Sequence, residues 1–311
     1  MAVSSDCFSL LPIEMVLTIV SLLPFKEVVR TSILSKKWLN ICKSTPNIEF
    51  NELFFVKPDQ SNETREAQRR AFLQFIKSWI ENHEGATIDK FSLSLSMPAN
   101  VGEIIDESVA FATQRGVKEL DLDFVDTNQN ENDDDFFYDY DEALFELPSR
   151  VYEHISLESL KLYSCSFIET KVLNFHVLKE VSLGWMEVRL TAIKALLFNC
   201  KKLECLSFKR CWNSDTFDLG EEEHMSLTKL VLDQCRFDFD YLRVYAPNLK
   251  IFKYCGWMNF GLIEIDSLAI EDVDLDFSLE YAFEEFGYPI YNLVKDVCTA
   301  RVLTVCSFVL Q

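Results

Sequence analysis

Apolar residues follow two different rhythms along this chain. Between Ser9 and Thr45 they recur at spacings of three, four and seven, which is the period of a helix face. Pro12 stands where a helix begins, a position that tolerates its missing N–H. Met15, Val16, Ile19, Val20, Leu22 and Leu23 then form a broad apolar stripe, with Glu14, Thr18 and Ser21 opposite. Pro24 closes that helix. Phe25–Thr31 reads as a second short helix with Val28 and Val29 inward. Ser35 caps a third, Lys36–Lys43, which carries Trp38, Leu39 and Ile41. Three helices in so short a span cannot bury a self-sufficient core. Either the rest of the chain or another protein covers them, so the stretch reads as a plain helical cap or as a docking module.

A connector follows. Its apolar run Leu53–Val56 suggests a first strand. Thr64 is the expected cap of a helix over Arg65–Asn82, whose stripe is Ala67, Ala71, Phe72, Phe75, Ile76, Trp79 and Ile80, with Arg69, Arg70 and Lys77 outside it. Gly85 is the expected stop. That helix reads as the cap of the array that follows or as a separate partner site.

From Ile88 the rhythm changes to apolar-x-x-apolar-x-apolar. It appears at Ile88-Phe91-Leu93, Val117-Leu120-Leu122, Leu157-Leu160-Leu162, Leu178-Val181-Leu183, Leu203-Leu206-Phe208, Leu227-Leu230-Leu232 and Leu249-Phe252-Tyr254. Ile265-Leu268-Ile270 and Ala300-Leu303-Val305 are read as further units. The starts from Leu157 to Leu249 are 21, 25, 24 and 22 residues apart, inside the leucine-rich-repeat range of about 20–29. Each inner segment predicts a short strand with alternate residues buried. Three units end in cysteine, at Cys165, Cys211 and Cys235, read as a column of small buried hydrophobes. Leu190–Phe198 and Tyr241–Pro247 read as helical or irregular return segments.

Composition narrows the chemistry. The chain has 311 residues, 49% of them hydrophobic, and a net charge of −20, which supplies no basic footprint for nucleic acid. With 26 Phe and 8 Gly it offers no glycine-rich phosphate loop. No apolar run reaches the length of a membrane span, and the start lacks a secretion signal. The ten cysteines therefore read as reduced intracellular thiols. No CxxC pair exists and the four histidines are scattered, so zinc spacing is absent. There is no G-x-S-x-G, HExxH, P-loop or GxGxxG.

The long interval between Val117 and Leu157 holds TNQNENDDDFFYDYDEALFELP. It reads either as a solvated insertion or as a recognition loop for a basic segment, with Asp134, Asp135, Phe136, Phe137, Tyr138 and Tyr140 as the candidate target-binding residues. No glycine-turned calcium-loop spacing is present there.

The N-terminal stretch resembles the plant type of F-box. The resemblance lies in Leu11-Pro12, Ile19, Leu22-Leu23-Pro24, Val28-Val29, Thr31-Ser32 and Leu34-Ser35-Lys36-Lys37-Trp38. Ile13 and Leu39 depart from it, standing where acidic and arginine residues are common. With the repeat cadence of NCKKLECLSF and APNLKIFKY, the whole chain resembles plant F-box proteins with leucine-rich repeats. The resemblance implies an α/β chain: a three-helix F-box (6–45), a connector with a capping helix (46–87), then a leucine-rich-repeat solenoid (88–311) with a parallel sheet on the concave side of an arc and an acidic insertion at 126–148. The tail resembles the approach to an FBD region, so the chain is expected to stop before or within one. The implied function is that of a non-catalytic substrate-recognition subunit of an SCF-type (Skp–cullin–F-box) ubiquitin ligase, cytoplasmic or nuclear, with no cofactor, metal, nucleic acid or membrane involved. Leu11, Pro12, Val16, Ile19, Leu23, Pro24, Leu34 and Trp38 would bind the Skp-type adaptor, and the repeats a target protein. The alternative is a ligase-independent repeat scaffold that binds a basic protein.

Overall fold

The computed structural model describes residues 11–125, 144–167, 175–213, 226–237, 241–257, 262–279 and 283–310. The chain divides into two compact units, Met1–Leu122 and Asp123–Gln311.

The first unit opens with α1 (Ile13–Ser21), α2 (Phe25–Thr31) and α3 (Lys36–Lys43). Pro12 and Pro24 precede α1 and α2, and each lends its carbonyl to the first turn: Val16 N donates to Pro12 O, and Glu27 N and Val28 N to Pro24 O. Pro24 thus opens the second helix as well as separating it from the first. The Ser35 hydroxyl accepts from Trp38 N, as its N-cap role requires. The interior of these helices is a cluster of Val16, Val20, Val28, Ile41 and Cys42, against which Leu11, Leu17, Val29, Trp38 and Trp79 pack. Trp79 comes from α4 (Asn62–Asn82), so the rest of the unit completes a core that three short helices could not close alone.

Strand β1 (Asn47–Asn51) pairs in parallel with β2 (Lys90–Ser94), and β3 (Glu119–Asp123) follows in the sheet order. Helix α4 joins β1 to β2 and α5 (Gly102–Gln114) joins β2 to β3. Three local readings need correction. The first strand is Asn47–Asn51, and Glu52–Phe54 is a 3-10 turn. Ser61, not Thr64, caps α4, its hydroxyl accepting from Thr64 N. Arg69, read as lying outside the apolar stripe, reaches inward to pair with the buried Glu52 at 3.1 Å, its own side chain 15% exposed. That helix ends at Asn82, before Gly85.

The second unit contains β4 (Phe145–Glu146), β5 (Ser159–Tyr163), β6 (Cys165–Ser166), β7 (Glu180–Gly184), α6 (Leu190–Asn199), β8 (Cys205–Lys209), β9 (Lys229–Asp233), β10 (Tyr241–Tyr245), β11 (Ile251–Cys255), β12 (Leu262–Asp266), β13 (Asp272–Asp276), α7 (Phe283–Asp296) and β14 (Val302–Val305). Its main sheet runs β5-β7-β8-β9-β11-β13-β14, with each adjacent pair parallel. The register stacks like positions. Leu160, Val181, Leu206, Leu230, Phe252 and Val273 form one buried column, and Leu162, Leu183, Phe208, Leu232, Tyr254 and Leu275 another. Each fully buried side chain of this size contributes about 1.5–3 kcal/mol of transfer free energy.

In the main sheet, β5, β7, β8, β9 and β11 are each followed directly by a residue with positive φ: Ser164, Trp185, Arg210, Gln234 and Gly256. The amide of each donates to the terminal carbonyl of the next strand: Gly184, Lys209, Asp233, Cys255 and Asp276 respectively. Four of the five are not glycine, so repeated stacking holds a conformation that L-residues disfavour. Cys165, Cys211 and Cys235 lie just beyond these turns and are buried. Cys211 Sγ donates to Leu183 O at 3.3 Å.

Two repeat assignments shift. Leu262–Asp266 is a strand of a separate pair, β10 with β12, and Leu268 is 91% exposed. The next repeat unit is Ile270-Val273-Leu275, all buried, beginning 21 residues after Leu249. Tyr241–Tyr245, read as a return turn, is the strand β10.

Candidate functional site

The helices α1–α3 sort their apolar residues into two sets. Val16, Val20, Val28, Ile41 and Cys42 are buried, while Ile13, Met15, Ile19, Leu22, Leu23, Ile33, Leu34 and Leu39 remain exposed. Helical parity explains the division. Val16 and Val20 are four apart and share the inner face, and Met15 and Ile19 are likewise four apart on another face. The turns after α1 and α2 then project Leu22, Ile33 and Leu34, at 81%, 86% and 67% exposure. Eight large apolar side chains left in water between Ile13 and Leu39 mark an interaction surface more often than chance scatter.

The eight residues expected to contact an adaptor do not all fall in this set. Pro12, Ile19, Leu23, Pro24 and Leu34 are exposed. Leu11 and Trp38 are half-buried, packed against the interior cluster. Val16 is 1% exposed and belongs to the core, so it is corrected from surface anchor to structural residue. Sequence reasoning did not select Met15, Leu22 or Ile33, although each is strongly exposed. The signal was present in the width of the α1 stripe, which is too broad for one buried face. Ile13 and Leu39, noted as departures from the F-box pattern, are also exposed and enlarge the apolar surface. The loop residues Asp134, Asp135, Phe136, Phe137, Tyr138 and Tyr140 lie outside the described residues.

Two comparisons bear on what this surface belongs to. The F-box domain model matches residues 8–50, and the model for the LRR domain of At1g61320/AtMIF1 matches residues 79–308. The chain belongs to the plant F-box/LRR-repeat family. Among its Arabidopsis thaliana relatives, the protein named Putative F-box/LRR-repeat protein At1g56400 is 31% identical over 318 residues, covering 100% of this chain and 64% of the relative. The one named Putative F-box/LRR-repeat protein At5g54820 is 30% identical over 319 residues, covering 100% of this chain and 66% of the relative. F-box/LRR-repeat protein At3g58900 is 28% identical over 276 residues, covering 87% and 80%. The chain thus spans about two thirds of the length of the first two relatives.

In the LRR region, the residues between the buried columns form the outer face of the sheet. There the Tyr163 hydroxyl meets Ser182 Oγ at 2.9 Å, and Lys253 pairs with Asp274 across strands at 3.6 Å. Gly184 lies opposite Tyr163, whose ring occupies the space a Cβ would need. A depression of about 260 Å³ between β9, β11 and β13 is lined by Asp233, Lys253, Asp274 and Asp276 among others. Desolvation pushes the thiols of Cys42 up to about 11 and of Cys200 and Cys255 up to about 12, and raises Cys165 and Cys235 further from their ordinary range. These sulfurs are held as thiols, the opposite of an activated nucleophile. Among the described residues no group of three His, Cys, Asp or Glu side chains is placed to hold a metal ion. No described helix is long and apolar enough to cross a membrane.

Proposed function

We propose that this chain is the substrate-recognition subunit of an SCF-type ubiquitin ligase, acting in the cytoplasm or nucleus. The F-box, placed at 6–45, docks on a Skp-type adaptor. The segment 46–87 links and caps, and the repeats of 88–311, including the acidic insertion at 126–148, hold a target protein. No residue of this chain performs chemistry. It acts by raising the local concentration of target lysines near a ubiquitin carrier supplied by other subunits.

The observation that carries this reading is the exposed apolar set on α1–α3, which a lone protein has no reason to keep in water. Size-exclusion chromatography of the full chain with purified Skp-type adaptor tests it. Co-elution is expected, and the triple variant Ile19→Ser, Leu23→Ser, Leu34→Ser should elute apart from the adaptor with its far-ultraviolet dichroism unchanged. Undiminished co-elution of that variant would overturn the assignment. A second reading, a ligase-independent scaffold for a basic protein, draws on the carboxylate-rich depression between β9, β11 and β13. The two readings part at cullin: only the first predicts its recruitment through the adaptor.

A further inference from the structure

The main sheet of the second unit ends on an open strand. β14 pairs in parallel with β13, Leu303 beside Val273 and Val305 beside Leu275, and no described strand pairs with its other side. Val302 N and Cys306 N donate to Glu271 O and Leu275 O, on the β13 side. Backbone groups alternate in direction along a strand, so the amides and carbonyls of Leu303 and Val305 face the free side. Leu303 continues the column that runs from Leu160 to Val273. Every earlier member is 0% exposed, whereas Leu303 is 39% exposed. Open edges ordinarily carry a lysine, a proline or an inward charge that prevents pairing. β14 reads Val-Leu-Thr-Val and has none of these.

The strand beside it indicates what chemistry suits this edge. β13 is Asp-Val-Asp-Leu-Asp, so Asp272, Asp274 and Asp276 share the face opposite the core. Lys253 of β11 pairs with Asp274 at 3.6 Å. Among the described residues no cation pairs with Asp272 or Asp276. Ile251 and Val302 stand across from Asp272, and Cys255 across from Asp276. Asp276 accepts from the neutral Ser278 amide at 2.9 Å. Lys250, the other lysine nearby, is paired with Glu271 at 3.2 Å. By strand alternation Arg301 falls on the Leu303 face, away from the aspartates. The stripe therefore keeps a negative excess.

Only Val302 and Thr304, both exposed, separate that stripe from the free side. A strand laid along β14 would lie about 10 Å from β13, a gap that an aspartate and a lysine or arginine side chain close between them. A second copy of β14 would fit the backbone, but it would bring its own aspartate stripe to the same edge, and like charges oppose that pairing.

We propose that the free side of β14 pairs with an extended segment of a partner protein in which apolar and basic residues alternate. Its backbone completes the hydrogen bonds of Leu303 and Val305. Its apolar residues cover Leu303, and its lysines or arginines lie toward Asp272 and Asp276. In strand addition of this kind the main chain supplies affinity and the alternate side chains selectivity. The site holds whether or not the F-box docks an adaptor.

The test titrates the full chain against dye-labelled peptides by fluorescence anisotropy. The probe is acetyl-Lys-Val-Lys-Leu-Lys-Val-amide. Its controls are the block peptide acetyl-Lys-Lys-Lys-Val-Leu-Val-amide, the probe with Glu for Lys, and two probes N-methylated on either the Lys or the Val and Leu amides. The block and Glu peptides should bind at least about tenfold more weakly than the probe. One methylated peptide should lose as much, because its methyl groups replace the hydrogen bonds to β14, while those of the other face water. Non-specific attraction to a chain of net charge −20 would bind the probe and the block peptide alike. Asp272→Lys should weaken the probe several-fold, less so as salt is raised. Leu303→Pro, which removes an amide on the free side, should weaken it too. Equal binding of probe and block peptide, full binding of both methylated peptides, or indifference to Asp272→Lys would overturn the proposal. So would elution of the free chain at twice its mass, reversed by Leu303→Pro, which assigns the edge to a second copy. If Leu303→Pro proves misfolded by dichroism, the methylated peptides decide. They also separate this edge from the depression between β9, β11 and β13, which shares Asp274 and Asp276 and would bind both. Adaptor co-elution on the same preparations reports on the F-box alone.

Discussion

Replacing Arg69 by methionine should destabilise the first unit by about 3 kcal/mol. The Glu52 carboxylate would stay buried, at 5% exposure, without its counter-charge. Breaking one side of a buried ion pair costs about 3–5 kcal/mol. The lower end applies because Glu52 keeps the Ser96 amide and hydroxyl as donors at 2.7 and 2.9 Å. Arg69 also donates to Ser96 Oγ at 2.6 Å and to Ser96 O, and those bonds vanish with it. The double variant Glu52→Met, Arg69→Met removes the stranded charge and leaves only the Ser96 groups to be satisfied, a penalty of about 1–3 kcal/mol. The two single losses should therefore exceed the double loss by about 2 kcal/mol or more, a coupling typical of paired groups. Urea unfolding of the three variants gives the energies, and hydrogen exchange over residues 47–60 locates them, since this pair pins the Glu52–Phe54 turn. Strict additivity, or a loss under about 1 kcal/mol for Arg69→Met, would refute the claim that a buried charge holds that turn.

Other consequences are as specific. Val16→Ala should cost about 2 kcal/mol of stability through the cavity it leaves, whereas Leu34→Ala should change stability by less than about 0.5 kcal/mol yet weaken adaptor binding; melting curves and co-elution on the same samples separate the two effects. Burial, together with the nearby Arg115 charge, lowers the His83 imidazole from 6.5 to about 4. The unfolded chain then takes up its proton first, so His83 withdraws up to about 3 kcal/mol of stability as pH falls from 6.5 to 4, and nothing above pH 7. His83→Leu should flatten that part of the wild-type stability profile, measured by urea titration at each pH. Leu206→Ala, at a fully buried repeat position, should cost about 2–5 kcal/mol; Leu268→Ala should cost almost nothing, which checks the repeat register by thermal melts.

The strands that the six-residue formula located are those where both apolar positions face one core. Leu160 and Leu162, or Leu206 and Phe208, are legible because a single period of two governs them. The formula failed at Ile265-Leu268-Ile270 because β12 is itself a strand, with Ile263 and Ile265 buried in a second pair, and so mimics a repeat unit until Leu268 breaks the pattern. Leu53–Val56 misled for a different reason. An apolar run normally reads as a strand, but here it begins in a 3-10 turn whose Glu52 pairs with Arg69, 17 positions away in sequence, a contact that no local pattern encodes. In the F-box, the motif fixed the helices and their caps. It could not say that Val16 faces in while Met15 faces out, because every turn of α1 is apolar on more than one side.

The central claim is that the exposed face of α1–α3 docks an adaptor. The most direct measurement is size-exclusion chromatography of the 311-residue chain with purified Skp-type adaptor and cullin. A stable ternary complex, lost on substituting Ile19, Leu23 and Leu34 by serine, is the predicted result. A chain that elutes alone, or a complex untouched by those substitutions, would contradict it.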